Sequence, residues 1–225
     1  MQGTIRTTID QTAHVGKVSR IWGSEKQSIA LGTQSFIEKG KNVWITQDGG
    51  FAYTVLPGET KKAYYTIETK KNEWNKRNIE NKNKTNLPEE ADILRLWVDH
   101  GRTCQDDTYG YVVYCGTGQP QKNLPFTVLR NDKSIQAILS SDKKIIEAVF
   151  YNPQEMLKTK GLALGVSHPA IVLMEDIGDE YIISVNDPQM LPELKQIDIL
   201  FNKENIKVCR KVLLPETLLP PMPTW

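Results

Sequence analysis

From Thr4 to Leu214 the sequence is a succession of short runs of β-branched and aromatic residues, each stopped by Gly, Pro, Asn or Asp. Such residues fit a pleated, half-buried surface, and the punctuating residues supply turns. Stops at this density leave little room for the roughly 10–14 residues of an ordinary helix. The pattern predicts an all-β chain of antiparallel strands, a sandwich or barrel and not an alternating α/β fold.

Thr4–Gln11 alternates as a strand does, with Ile5, Thr7 and Ile9 on one face, and Asn42–Thr46 has the same character. Asp48-Gly49-Gly50 is a strong turn signal before Phe51–Leu56, which stops at Pro57-Gly58. Lys62–Thr69, Phe126–Arg130, Ile135–Leu139, Ile145–Tyr151, Ala170–Glu175, Tyr181–Asn186, Ile197–Phe201 and Ile206–Leu214 read as further strands. Leu96–Cys115 reads as a β-hairpin: Leu96–Val98 and Tyr109–Tyr114 flank a polar turn holding His100 beside Gly101. Helix is expected only over Glu25–Leu31 and Pro153–Lys160. Gly116–Pro125 clusters Gly, Pro and polar residues and reads as a linker, which divides the chain into units 1–118 and 119–225. The proline-dense Leu218–Trp225 is expected to lie extended along the surface. No internal repeat is visible.

With 39% hydrophobic and 24% charged residues and a formal net charge of +1, nothing in the composition demands a nucleic-acid or membrane partner. No apolar stretch approaches the roughly 20 residues that span a bilayer. No basic region followed by an apolar one opens the chain, so no secretory signal is expected within it. Cys104, Cys115 and Cys209 are odd in number and lack metal-site spacing. Cys104 and Cys115 either pair across the hairpin or stay as reduced, partly buried thiols, the second being favoured.

Lys70–Asn86 carries six Lys/Arg against two Glu together with six Asn, whereas Leu87–Asp107 carries six Asp/Glu against two Arg. Asn-rich, weakly hydrophobic sequence suits a long exposed loop. Its clustered cations attract sulfate and carboxylate groups, and Trp74 offers a stacking face. Lys70, Lys71, Trp74 and Arg77 are therefore the candidate substrate-binding residues, set against the reading of a solvated insertion balanced by its acidic neighbour. His14 and His168 are isolated, and no HxH or HExxH spacing points to a metal. Trp22, Trp44 and Trp97 sit among apolar neighbours and are expected in the core. Asn131-Asp132 and Asp187-Pro188 read as turn formers. No phosphate loop, Ser/His/Asp set or nucleotide fingerprint is present, and no cofactor or metal is expected.

Between Phe126 and Pro188 a series of blocks stands in a distinctive order: Val128-Leu129-Arg130-Asn131-Asp132, Ser134–Ile138, Ile145–Tyr151, Pro169–Leu173 and Ile183–Pro188. The series resembles the carboxy-terminal β domain of polysaccharide lyase family 8, whose members cleave chondroitin sulfate, hyaluronate or xanthan. Thr7–Gln11, Gly49–Tyr53, and Trp97–Gly101 with Tyr109–Tyr111 resemble late strands of the same family's central sandwich, most nearly in chondroitin sulfate ABC lyases. The resemblance covers essentially the whole chain and is poorest over Lys70–Asn86 and the last ten residues. It implies late strands of a large antiparallel β-sandwich followed by a smaller carboxy-terminal β-sandwich. In the family a preceding helical toroid carries the tyrosine, histidine, arginine and asparagine of β-elimination. An acidic residue from further upstream in the β region is also implicated in the ABC-type enzymes. The resemblance thus implies a carboxy-terminal piece with no catalytic residue of its own. Its partners would be an anionic glycosaminoglycan and the amino-terminal catalytic part, in an extracellular or periplasmic parent enzyme.

Elimination at a uronic acid needs a group to neutralise the carboxylate, a base for the C5 proton and an acid for the leaving oxygen. His100, Tyr109 or Tyr111, and Arg102 offer those types within one segment, although the family positions they resemble are not catalytic. A structural role for them is the expectation. The rival readings are a non-catalytic carbohydrate-binding module and a structural remnant of a split gene.

Overall fold

The first unit is built from β1 (Ile5–His14), β2 (Val18–Trp22), β3 (Glu25–Ser28), β4 (Gly32–Lys39), β5 (Trp44–Gln47), β6 (Phe51–Leu56), β7 (Lys62–Glu73), β8 (Glu90–Gly101) and β9 (Gly110–Cys115). The second contains β10 (Phe126–Asn131), β11 (Ile135–Ser140), β12 (Ile145–Phe150), β13 (Leu157–Thr159), β14 (Leu162–Val166), β15 (Ala170–Asp176), β16 (Tyr181–Asn186), β17 (Gln196–Lys203) and β18 (Ile206–Leu213). This computed structural model describes residues 4–14, 16–39, 42–57, 62–73, 90–104, 107–116, 123–159, 161–203 and 206–214. The chain divides into two compact units, Met1–Asn123 and Leu124–Trp225. The fold is all-β, and no helix occurs among the described residues.

In the first unit one sheet runs β1-β8-β7-β4 and the other β3-β2-β5-β6-β9, with every neighbouring pair antiparallel. Alternation along β8 turns Leu94, Leu96 and Val98 to one face, where they join Tyr65 and Ile67 of β7 and Ile45, Tyr53 and Val55 of the facing sheet. That interdigitation is the unit's core, and each buried side chain adds about 1.5–3 kcal/mol of apolar transfer. Trp44 and Trp97 are buried, while Trp22 is half-buried beneath the Arg20 guanidinium, 4.3 Å from the ring centre.

The second unit repeats the principle with sheets β10-β11-β12-β15-β16 and β13-β14-β17-β18. Ile135, Phe150, Val172, Leu164, Ile197 and Ile199 fill the space between them. Asp132 and Asp187 are turn formers of the kind expected. Asp132 accepts the Ser134 and Ile135 N–H groups at 2.8 and 3.0 Å, and Asp187 those of Gln189 and Leu191 at 2.8 Å each.

Both expected helices are strand and turn. At Gly23-Ser24 a two-residue turn with φ of 63° at Gly23 pairs Trp22 with Glu25, so residues 25–28 return as β3. A Gly-X pair is a hairpin signal, and seven residues are too few to nucleate a helix against it. Over residues 153–159, the described part of the second, Asn152 first holds a turn by accepting the Gln154 N–H at 3.0 Å. Leu157 is then drawn into the core as part of β13. The expected hairpin over residues 96–115 is also replaced. Both edges of β8 are occupied, by β1 and β7, so β9 pairs instead with β6 in the facing sheet. The segment between them is a crossover. Of the long loop expected over residues 70–86, the first four residues belong to β7 and the rest lie outside the described residues.

Candidate functional site

Of the four candidate substrate contacts the described residues include two, Lys70 and Lys71, and these do not share a face. Lys70 and Lys71 are successive residues of β7, and alternation sends them to opposite faces of the sheet. The Lys70 ammonium lies 3.4 Å from Glu68 Oε1, and the other oxygen of Glu68 is 3.0 Å from Arg95 Nη1. Lys71 stands opposite Asp92 of β8. Trp74 and Arg77 lie outside the described residues. Lys70 thus shares the Glu68 carboxylate with Arg95 of the same sheet, and exposed pairs of this kind contribute about 0–1 kcal/mol.

His100 ends β8, with only 5% of its side chain exposed. Its Nε2 lies 2.8 Å from Thr7 Oγ1 and its Nδ1 2.5 Å from Asp107 Oδ2. The Tyr109 ring stands edge-on to it, with centroids 5.7 Å apart. Gly101, at φ of 78°, adopts the left-handed conformation that glycine takes most readily. Tyr111 belongs to the facing sheet, opposite Val55. The described residues therefore assemble His100 with Tyr109 but leave neither ring nitrogen free to take a substrate proton. Asp107 was not among the residues singled out from sequence; its place beside His100 depends on the crossover. Cys104 and Cys115 are free thiols. His14 has both ring nitrogens buried with no partner among the described residues, and exposed His168 bonds Ser167 at 2.9 Å.

Two polar networks cross the interior of the first unit, and sequence reasoning found neither. Arg20 of β2 donates to Glu38 of β4 through both Nε and Nη2, the Nε contact being 2.8 Å; Tyr65 also donates to Glu38 at 2.8 Å. Arg20 stacks between Trp22 and Phe36, 4.3 and 4.9 Å from their ring centres. Burial opposes the Arg20 charge, but the bonds to Glu38 and Tyr65 outweigh it and raise its pKa. In the second network Tyr53 donates to Asp10 and accepts from Gln47 Nε2 at 3.2 Å. Burial first, and then the carboxylate partner, push both tyrosines well above the ordinary phenol range. A phenol held protonated in this way ties sheets together and is poorly suited to act as a base.

In the second unit Arg130 bridges Asp132, at 2.5 Å, and Glu155, whose other oxygen accepts from Ser134 Oγ at 2.7 Å. Hydrogen bonds from Arg130 and then Ser134 hold Glu155 below its ordinary 4.5. Burial works against Asp132, but bonds from Arg130, Ile135 and Ser134 outweigh it and hold it below 3.8. Carboxylates with depressed folded-state pKa values contribute stability that is present above their ordinary range and lost as pH falls through the folded values. Urea midpoints of the chain are accordingly expected to be level above about pH 5 and to fall below pH 4. Arg130→Gln should flatten that acid limb, and an unchanged limb would show that other carboxylates cause it.

The model of the polysaccharide lyase family 8 super-sandwich domain matches residues 1–123, and that of the family's C-terminal beta-sandwich domain matches residues 127–195. The chain is 24% identical to the chondroitin sulfate ABC endolyase of Proteus vulgaris over 197 residues, 83% of this chain and 18% of that protein. It is 26% identical to the chondroitinase-AC of Pedobacter heparinus over 103 residues, 44% of this chain and 15% of that protein. The chain thus spans less than a fifth of the length of these relatives. Among solved structures, a chondroitinase AC lyase superposes with a TM-score of 0.75 at 21% identity, covering 96% of this chain and 31% of that one. A Paenibacillus xanthan lyase gives 0.62 at 18% identity, over 90% and 20% of the two chains. Two family domains matched in order, on two sandwiches of the corresponding kind, identify the chain as a member of polysaccharide lyase family 8.

Proposed function

We propose that this chain is the carboxy-terminal β region of an enzyme that cleaves an anionic polysaccharide, such as chondroitin sulfate or hyaluronate, by β-elimination. Its role is to buttress the catalytic part and to shape the substrate groove, while the reacting groups lie on an amino-terminal polypeptide. The parent enzyme works outside the cytoplasm, where such polysaccharides occur. The observation that carries this reading is the ordered match of both units to the family's two β domains. The state of His100 supports it: a base must be within reach of the proton it takes, and both nitrogens of this ring are already engaged.

Elimination creates a C4–C5 double bond conjugated with the uronate carboxylate, so products absorb in the ultraviolet. The chain alone is expected to release no such absorbance from chondroitin sulfate or hyaluronate. Turnover that survives repurification and is lost in His100→Ala would overturn the non-catalytic role.

The same reading bears on the candidate contacts. Lys70 and Lys71, facing opposite ways, act singly, so K70A/K71A is expected to weaken retention on immobilised chondroitin sulfate by less than about fivefold, the equivalent of about 1 kcal/mol. A larger loss, or a strong loss in W74A/R77A with steep salt dependence, would give the chain a binding role of its own.

A further inference from the structure

The crossover between β8 and β9 gathers three donor groups of a kind that hold transition metals. His100 Nδ1, Cys104 Sγ and an Asp107 carboxylate oxygen all lie within 4.8 Å of one another. A tetrahedral zinc ion, with bonds of about 2.0–2.3 Å to nitrogen, oxygen and sulfur, sets its donors about 3.3–3.8 Å apart, so Cys104 would draw in and the His100–Asp107 pair, at 2.5 Å, would part by roughly an ångström. We propose that His100, Cys104 and Asp107 form a zinc site that pins the crossover segment to the end of β8, with water as the fourth ligand.

The orientation of His100 is that of a metal ligand. Its Nε2 lies 2.8 Å from Thr7 Oγ1, which can accept the Nε2 proton and leave the Nδ1 lone pair facing Asp107 and Cys104. A metal-bound histidine is ordinarily held by such a bond on its other nitrogen. In that tautomer Nδ1 and the Asp107 oxygen, 2.5 Å apart, are two acceptors pointed at one another, a repulsion that a shared proton relieves as they stand and a cation relieves once they part to about 3.3 Å. A proton would need no third donor. The thiol of Cys104, half-buried at the same point, is what a metal adds to the account. The Tyr109 ring against the imidazole and the buried position of His100 restrict the ring further.

A thiolate and an imidazole with a single carboxylate favour zinc or cobalt over calcium or magnesium, which prefer all-oxygen cages. The spacing, three residues between His100 and Cys104 and two between Cys104 and Asp107, is absent from the common zinc signatures. Gly101, in the left-handed conformation immediately after the histidine, ends the extended run of β8 there. The site is independent of the lyase reading, because none of its ligands is assigned a part in elimination.

The test uses the full chain, stripped of metal with a chelator under reducing conditions and then titrated with Co2+. The expected result is a near-ultraviolet thiolate-to-cobalt charge-transfer band with visible bands of tetrahedral intensity, bleached by stoichiometric Zn2+ and untouched by Ca2+ or Mg2+. Cys104→Ser should abolish the charge-transfer band, and Cys115→Ser should leave it intact. Thr7→Val, a neutral change for a strand, should weaken zinc binding by about 10–100-fold while circular dichroism stays native. A band of equal strength in Cys104→Ser, or no band in the wild-type chain with its native circular dichroism, would overturn the site. Zinc binding insensitive to Thr7→Val would remove the orienting role given to that hydroxyl.

Discussion

Phe150→Ala is expected to destabilise the carboxy-terminal unit by about 3–5 kcal/mol, a large share of the stability of a domain this size. Phe150 ends β12, is 1% exposed, and stands in register with Ile135 on one side and Ala170 on the other. Its ring belongs to the same cluster as Leu157, Leu164, Val166, Ile197 and Ile199, all of the facing sheet. Pleated strands on either side are held by their ladders and cannot close over the lost volume, so the cavity term adds to the transfer term. Phe150→Leu keeps most of the volume and should cost under about 1.5 kcal/mol. Urea unfolding followed by far-ultraviolet circular dichroism distinguishes the two. Equal and small effects would mean that the two sheets are less closely packed than described.

Arg20→Ala is the second large effect, also about 3–5 kcal/mol, for an electrostatic reason. The Arg20 and Glu38 side chains are 16% and 14% exposed, and Arg20 supplies two of the three hydrogen bonds that Glu38 accepts. Truncating the arginine strands a carboxylate between sheets with the Tyr65 hydroxyl alone, and removes the cation stacked on Trp22 and Phe36. The double change R20M/E38L removes both charges while keeping apolar volume, and should recover most of the loss. Failure of the double variant to exceed Arg20→Ala would show that the stacked guanidinium, and not the stranded charge, carries the energy.

Much of the strand pattern was legible in the sequence. Residues 51–56, 126–130, 135–139, 170–175 and 181–186 lie in β6, β10, β11, β15 and β16 almost residue for residue, because β-branched alternation between turn formers has one economical solution. The strands not anticipated are those whose local signal is weak. Edge strand β4 (Gly32–Lys39) is mostly polar, which suits an edge and resembles a loop. Strand β14 contains Gly165, which reads as a break but marks where Met156 packs, 3.2 Å from the position a Cβ would take. Strand β2 (Val18–Trp22) is too short to show a period.

What the sequence determined by itself was the all-β character, the punctuation into short strands and the family likeness, all of them properties of local residue order. What only the tertiary structure decided was pairing. Residues 96–98 and 109–114 look like a hairpin because nearness in sequence is the default cue. They part because β8 has both edges taken and β9 needs a free one at β6. That choice makes the intervening segment a crossover, which sets Asp107 against His100 and brings Cys104 to the same point. The extension of β7 to residue 73 separates Lys70 from Lys71, since a residue placed in a strand and not a loop surrenders its direction to the pleat. Strand edges are satisfied by partners far away in the chain, and no run of neighbouring residues specifies which partner that is.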